Sequence, residues 1–209
     1  MQKKAALLVI DLQNDFCPGG ALAVPGGNEI APLINSLARH FDEVVLTQDW
    51  HPADHTSFAA NHPEKAAFDT IQLPYGQQIL WPTHCVMGTS GAALVPGLDI
   101  PHAGLILRKG SHSSIDSYSG FLEADRATPT GLAGYLRERS ITHLYICGLA
   151  FDFCVRWTAE DAAQAGFEVC VVEDACRAID LQGSSAKARA AMQTAGVKLA
   201  KSQDILQPH

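Results

Sequence analysis

The stretch "YICGLAFDFCVRWTAEDA", Tyr145 to Ala162, begins as a continuous apolar run and ends with apolar residues at helical spacing. The first pattern is typical of a buried strand and the second of an amphipathic helix. Cys154 stands where one pattern gives way to the other. It is either a small core residue, which is the usual fate of a free cysteine, or a nucleophile at the start of a helix.

Similar apolar runs recur along the chain, with helical patterns between them. The six runs cover residues 5–11, 43–49, 104–109, 143–149, 168–174 and 197–202, and the helical patterns cover 28–41, 130–140, 154–166 and 186–196. Gly166 and Gly196 stand where helices are expected to stop. Runs that are apolar on both faces favour parallel strands covered on both sides. The sequence therefore predicts an α/β fold: a doubly wound, mostly parallel six-stranded sheet with helices on both faces, in three layers.

The bulk composition indicates a single domain over residues 1–209. With 47% hydrophobic and 18% charged residues, the chain has ordinary globular composition. One region, about 51–101, is rich in Pro, Gly and His and has no clear period. Long irregular segments inside compact domains are usually functional, so we expect this one to contribute to a site.

Charge and hydropathy exclude several classes of protein. The chain has 22 acidic and 15 basic residues and no cluster of Lys and Arg, so no nucleic-acid partner is expected. No window approaches the roughly 20 apolar residues of a membrane span, and the N-terminal run has no signal-peptide pattern. We expect a cytoplasmic protein without a membrane partner, whose six cysteines are reduced thiols. The sequence does not determine the oligomeric state, and it is compatible with a homo-oligomer.

The strand ends carry the reactive side chains. Asp11, Asp49 and Lys109 terminate three of the apolar runs, and Cys154 follows just past Leu149. Because the carboxyl ends of parallel strands share one edge of the sheet, we expect these groups to meet there. The helix terminus would favour the thiolate of Cys154, Asp11 is the available base, and Lys109 would stabilise negative charge.

A second group follows the second strand in "QDWHPADH", residues 48–55. Asp49 and His51 are two residues apart and project to the same side of an extended chain. With a third ligand they form a carboxylate-plus-two-histidine set suited to a divalent metal, although each histidine alone also fits a hydrogen-bonded loop position. The spacing leaves three choices for that ligand: His55, His62 and His84.

Five blocks of the chain, in order, resemble those of the nicotinamidase and pyrazinamidase family within the isochorismatase-like cysteine hydrolase superfamily. They are "DLQNDFCPGGALAV" (11–24), "TQDWHPADHTSF" (47–58), "WPTHCVMGTSGA" (81–92), "RKG" with "DSYSGF" (108–110 and 116–121) and "GLAFDFCVRWTAEDA" (148–162). The resemblance covers essentially the whole chain. It implies a catalytic triad of Asp11, Lys109 and Cys154. It also implies an oxyanion hole from the N–H groups of Ala150 and Cys154, after a cis peptide bond between Leu149 and Ala150.

The resemblance also assigns the metal ligands and the substrate pocket. The ligands correspond to Asp49, His51 and His84, while His55 is a further ligand in some members and a neighbour of the metal shell in others. They imply one divalent ion, Zn, Fe or Mn. The positions that wall the aromatic pocket in relatives are Phe16, Leu22, Trp81 and Tyr118. Phe151 departs from the threonine of bacterial relatives, so we expect it to change the pocket rim.

The implied activity is the hydrolysis of nicotinamide to nicotinate and ammonia through a cysteine thioester, a step of NAD salvage. In relatives the metal orients the pyridine ring. Two alternatives share the scaffold: a related amidohydrolase acting on a carbamoyl or ureido substrate, and a non-catalytic metal-binding module. The first commonly lacks the metal block, and the second would have a decayed triad. An isochorismatase-type enzyme acting on a vinyl ether would not depend on a nucleophilic cysteine.

Overall fold

The computed structural model describes residues 4–206, and all six predicted strands are present in it. The strands are β1 (Ala5–Ile10), β2 (Glu43–Asp49), β3 (Thr70–Leu73), β4 (Gly76–Ile79), β5 (Leu105–Lys109), β6 (His143–Gly148), β7 (Glu168–Cys176) and β8 (Lys198–Ala200). All but β3 and β4 form one sheet in the order β5-β2-β1-β6-β7-β8. Every neighbouring pair in that sheet is parallel. The predicted fold class is confirmed.

The order of the strands explains where a site forms. From β1 the chain moves to β2 and β5 on one side, then returns to β6 and continues to β7 and β8 on the other. The direction therefore reverses between β1 and β6, and in open α/β sheets ligands bind beyond the carboxyl ends of the strands at such a switch point. Asp11 directly follows β1, and the segment that contains Cys154 follows β6.

Five helices accompany the sheet within the described residues: α1 (Ala31–Ala38), α2 (Leu132–Glu138), α3 (Arg156–Gln164), α4 (Ser184–Thr194) and α5 (Gln203–Leu206). Right-handed crossovers that run in opposite directions along the sheet place α1 and α3 on opposite faces. Both predicted glycine stops are confirmed, because Gly166 and Gly196 follow α3 and α4 with positive φ angles of 93° and 82°. α1, α2 and α3 are shorter than predicted, whereas α4 has the predicted length of 11 residues and begins two residues earlier. A 3₁₀ turn over Gly27–Ile30 precedes α1.

The irregular region about 51–101 contains a hairpin that the sequence did not predict. β3 and β4 pair antiparallel, with Leu73 opposite Gly76. β3 alternates polar and apolar residues over only four positions, and β4 has one β-branched residue, Ile79. The linking residues Pro74 and Tyr75 are not one of the Gly-containing pairs that mark a tight hairpin, so the segment resembled a loop. Gln78 of β4 is buried, and its amide donates to Oδ2 of Asp116 at 2.6 Å. The hairpin is thus joined to the 116–121 block.

Two further expectations concern the whole chain. No helix among residues 4–206 is long and apolar enough to cross a membrane. All six cysteines lie in the described part of the chain and are free, as expected for reduced thiols.

Candidate active site

The strand-end residues meet at the carboxyl edge of the sheet, as predicted. Asp49 ends β2 and lies opposite Lys109, which ends β5. The ammonium of Lys109 forms an ion pair with Oδ1 of Asp49 and lies 2.9 Å from Oδ2 of Asp11. It also donates to the carbonyl of Ser117 at 2.9 Å and lies 3.5 Å from Sγ of Cys154. One buried lysine therefore contacts both carboxylates and the thiol.

The pKa values of Lys109, Asp49 and Asp11 are shifted in different directions. Burial lowers the pKa of Lys109, but Asp11 and Asp49 outweigh it and hold the pKa well above its usual value. Burial raises the pKa of Asp49, but the charges of Lys109 and the neighbouring histidines bring it below its usual range. For Asp11, burial outweighs the opposing charge of Lys109, so its pKa is raised. Asp11 is therefore the carboxylate suited to accept and return a proton.

Cys154 lies in a π-helical turn, Phe151–Val155, rather than in the first turn of an α-helix. In this turn the N–H of Val155 donates to the carbonyl of Ala150 at 3.1 Å, and α3 begins only at Arg156. Burial raises the pKa of the Cys154 thiol well above its usual value, although Lys109 opposes the shift. The expectation that the helix terminus favours the thiolate is therefore wrong for this site. A thiol with a raised pKa needs a base to remove its proton.

The link between β6 and the nucleophile turn has the cis peptide bond that the resemblance implied, between Leu149 and Ala150. Before it, Gly148 has a φ of 114°. A Cβ at Gly148 would lie 2.1 Å from the carbonyl oxygen of Ile10, so only glycine fits this close approach of β6 to β1. Ala150 lines the same cavity as Cys154.

Asp49, His51 and His84 form a buried group, called the metal group below, whose candidate ligand atoms lie within 4.8 Å of one another. Nε2 of His51 lies 3.6 Å and Nε2 of His84 lies 3.9 Å from Oδ2 of Asp49. Nδ1 of each ring lies 2.8 Å from a carbonyl oxygen, of Gly110 and Pro82 respectively, which can only accept. A neutral ring that donates through Nδ1 presents an Nε2 lone pair to Asp49. Two lone pairs and a carboxylate oxygen fit a divalent cation.

The other two candidate histidines lie outside this group. The ring of His55 is 4.2 Å from that of His51, but its nitrogens contact Oγ of Ser57 and the carbonyl of Ile115. Its ligand atoms group instead with those of His51 and Asp116. Nε2 of His62 lies 2.7 Å from the carbonyl of Thr56, which fits the hydrogen-bonded loop role.

A cavity joins Cys154 to the metal group. The four predicted wall residues, Phe16, Leu22, Trp81 and Tyr118, all line it together with Asp49, His51, His84 and Cys154. The aromatic rings are tilted or perpendicular to one another rather than stacked: Trp81 and Phe153 are 4.9 Å apart at 90°, and Tyr118 and Phe153 are 5.8 Å apart at 50°. The walls therefore suit a small planar ring.

Sequence reasoning missed three residues of the cavity: Asp116, Phe153 and Ile179. Phe153 is one residue before the nucleophile, and its position was the available signal. The expectation that Phe151 shapes the rim is wrong, because Phe151 is not among the lining residues. It is buried, with the guanidinium of Arg189 5.6 Å from its ring.

Comparison with known proteins identifies the family of this chain. The isochorismatase domain model matches residues 5–204. The chain belongs to the isochorismatase domain family. Among curated members of the family, the nicotinamidase of Acinetobacter baylyi is 59% identical over 96% of this chain and 94% of its own length.

Solved structures of the family agree with the fold. The nicotinamidase pyrazinamidase of Acinetobacter baumanii superposes with a TM-score of 0.97 at 56% identity, covering 99% of this chain and all of the other. The pyrazinamidase of Pyrococcus horikoshii in complex with zinc superposes with a TM-score of 0.78 at 37% identity, over 95% of this chain and 99% of the other.

Proposed function

We propose that this chain is a nicotinamide amidohydrolase that produces nicotinate and ammonia through a thioester on Cys154. The observation that carries the proposal is the single cavity that joins Cys154 to the Asp49, His51 and His84 group between aromatic walls. One end of this cavity suits an amide carbon and the other suits a ring nitrogen. Family members that are 59% and 56% identical are nicotinamidases, which supports the same substrate.

Asp11 acts as general base and then as general acid. It takes the proton from Sγ of Cys154 as the sulfur electron pair forms a bond to the amide carbon and the carbonyl π pair moves to oxygen. Asp11 then gives the proton to the nitrogen, the C–N bond breaks, and ammonia leaves. In the second half Asp11 takes a proton from water as the water oxygen bonds to the thioester carbon. The C–S bond then breaks, Asp11 returns the proton to sulfur, and the product leaves as nicotinic acid, which ionises to nicotinate.

Lys109 supplies electrostatic stabilisation. It is buried and charged and lies 3.5 Å from Sγ, so it favours negative charge on sulfur as the thiol proton departs. The proposed oxyanion hole consists of the N–H groups of Ala150 and Cys154. Both residues line the cavity, which supports this assignment.

Asp49, His51 and His84 are the proposed ligands of one divalent ion. Such an ion supplies a Lewis-acidic contact that orients the pyridine ring. The donor set suits Zn, Fe and Mn, and the zinc complex of the Pyrococcus horikoshii relative favours zinc. Phe16, Trp81, Tyr118 and Phe153 then hold the ring by its faces and edges.

The test is a product assay on zinc-loaded protein with nicotinamide, in which nicotinate and ammonia are measured together. We expect release in a one-to-one ratio from the wild type, and none from Cys154→Ala, which should still bind nicotinamide. An inactive wild type that instead hydrolyses a ureido or carbamoyl substrate would overturn the proposal in favour of the related amidohydrolases. A wild type that binds zinc but hydrolyses neither substrate would favour the non-catalytic module.

A further inference from the structure

Thr47 contacts both the backbone and the side chain of Asp11. It lies in β2, and its side chain is fully buried. Its Oγ1 accepts the backbone N–H of Asp11 at 3.1 Å and donates to Oδ1 of the same residue at 2.6 Å. The hydroxyl of Thr47 has one proton. Because the oxygen of this hydroxyl already accepts the N–H of Asp11, the hydroxyl proton is directed to the ionised carboxylate.

The two oxygens of Asp11 therefore have different surroundings. Oδ1 has the hydrogen bond from Thr47. Oδ2 lies 2.9 Å from the ammonium of Lys109, and among the described residues no hydroxyl or backbone N–H donates to it. The lysine directs its hydrogen bonds to Asp49, to the carbonyl of Ser117 and to Sγ of Cys154. A buried carboxylate oxygen that holds no hydroxyl or N–H proton keeps a lone pair free to accept one.

The side chain of Asp11 does not by itself fix the orientation of its carboxylate plane. The terminal torsion of an aspartate side chain is broad and roughly two-fold, so the carboxylate plane is set by its partners. Its backbone also has a φ of 45°, a left-handed conformation that aspartate tolerates but that is uncommon for side chains with a Cβ. The hydroxyl of Thr47 bonds to both groups at once. It fixes the plane of the carboxylate relative to its own backbone.

We propose that Thr47 is a positioning residue for the general base: by holding Oδ1 of Asp11 it makes Oδ2 the atom that takes the proton of Cys154. The inference rests on the proposed amide hydrolysis. The proton leaves Sγ, resides on Oδ2 while the sulfur–carbon bond forms, and passes to the departing nitrogen. Thr47 keeps its own proton throughout and touches no reacting atom.

The position of Thr47 in the sequence fits this role. It is two residues before Asp49 in β2, so both side chains project to the same side of the strand. β2 thereby supplies the support for the base and the carboxylate of the metal group. Threonine combines the β-branched shape that strands favour with the one hydroxyl that this geometry needs.

The experiment compares Thr47→Val, which keeps the shape and removes the hydroxyl, with Thr47→Ser, which keeps the hydroxyl. For Thr47→Val we expect kcat to fall about tenfold to a hundredfold, the effect of losing a hydrogen bond to a charged group, with KM almost unchanged. Thr47→Ser should recover most of kcat. A role limited to packing would give the opposite order, because serine lacks the methyl group that valine retains.

A second readout needs no substrate. The rate at which iodoacetamide alkylates Cys154, located by peptide mass spectrometry, should fall in Thr47→Val and stay near the wild-type rate in Thr47→Ser. Zinc content and thermal unfolding confirm that the compared proteins are loaded and folded, and Thr47→Ala replaces the valine variant if the latter does not fold. A valine or alanine variant with the wild-type kcat and alkylation rate would overturn the proposal. A Thr47→Ser protein with kcat and alkylation rate as low as those of the valine variant would also overturn it. A wild type inactive on nicotinamide would refute the proposed function, while the alkylation rates would still decide the role of Thr47.

Discussion

The ammonium of Lys109 forms an ion pair with Asp49, the same carboxylate that faces the histidines of the metal group. Oδ1 of Asp49 faces the lysine and Oδ2 faces the rings. Asp49 therefore belongs to both parts of the site. The charge of Lys109 balances two buried carboxylates, Asp11 and Asp49, and a change at the lysine must affect the chemistry and the metal group together.

Replacing Lys109 with Met tests this coupling. The variant leaves two buried carboxylates without their counter-charge, so we expect kcat/KM to fall by more than about a hundredfold and the free energy of unfolding to fall by about 3–5 kcal/mol. Zinc affinity should change as well, because Asp49 loses the partner of Oδ1. Enzyme kinetics, urea unfolding and zinc titration measure the three effects. Lys201→Met, at an exposed lysine, is the control, and a Lys109→Met protein with wild-type zinc affinity would contradict the coupling.

The pH dependence should reflect the raised pKa of Asp11. Below that pKa the carboxyl already holds a proton and cannot take one from Cys154, so activity falls as pH falls. We expect the acid limb of kcat/KM to lie above 3.8, the ordinary aspartate value, with a slope of about tenfold per pH unit. The profile is measured with zinc content followed in the same samples, so that loss of metal is distinguished from protonation of Asp11. A limb at or below 3.8 would show that burial does not control this carboxyl.

The metal group predicts a difference between two histidine variants. His84→Ala removes one of the three proposed ligands, so we expect zinc affinity to fall at least about tenfold and activity to be lost at limiting zinc. His62→Ala should bind zinc as the wild type does, because His62 contacts only a loop carbonyl in the described structure. Zinc titration of protein stripped with a chelator checks both. Equal affinities in the two variants would remove His84 from the ligand set.

Two phenylalanines two residues apart should behave differently. Phe153 lines the cavity, so Phe153→Ala should raise KM for nicotinamide by roughly twofold to tenfold, the effect of losing one aromatic contact. Phe151→Ala should leave KM near the wild-type value and lower the free energy of unfolding by about 3–5 kcal/mol, because its ring is buried away from the cavity. Steady-state kinetics with thermal unfolding separates the two. If KM rises in Phe151→Ala and does not rise in Phe153→Ala, Phe151 shapes the pocket rim as the sequence suggested.

The sequence predicted the sheet and the polar strand ends because both follow from strong local patterns. Parallel strands must be apolar on both faces, so Asp11, Asp49 and Lys109 were conspicuous at their ends. Residues that reach the cavity from irregular backbone had no such pattern. Asp116 and Ile179 lie outside the strands and helices, and only the tertiary fold brings them to the cavity.

The state of Cys154 could not be predicted for a related reason. The strand-to-helix junction was visible in the sequence, but the π-helical turn within it was not. The helix-terminus argument considered one local field, whereas the pKa of the thiol depends on burial by distant segments and on Lys109, 45 positions away. Local sequence thus indicated which cysteine lies at the proposed site but not how its proton is held.

The thioester on Cys154 is the central claim, and partitioning with hydroxylamine tests it most directly. Zinc-loaded protein is given nicotinamide with increasing hydroxylamine, and ammonia from the substrate, nicotinate and nicotinohydroxamate are measured. A thioester predicts that hydroxamate replaces nicotinate while the rate of ammonia release does not fall, because both nucleophiles attack an intermediate formed after ammonia has left. The Cys154→Ala protein should form neither product. Ammonia release with nicotinate as the sole product at every hydroxylamine concentration, or hydroxamate formed by Cys154→Ala, would contradict the account.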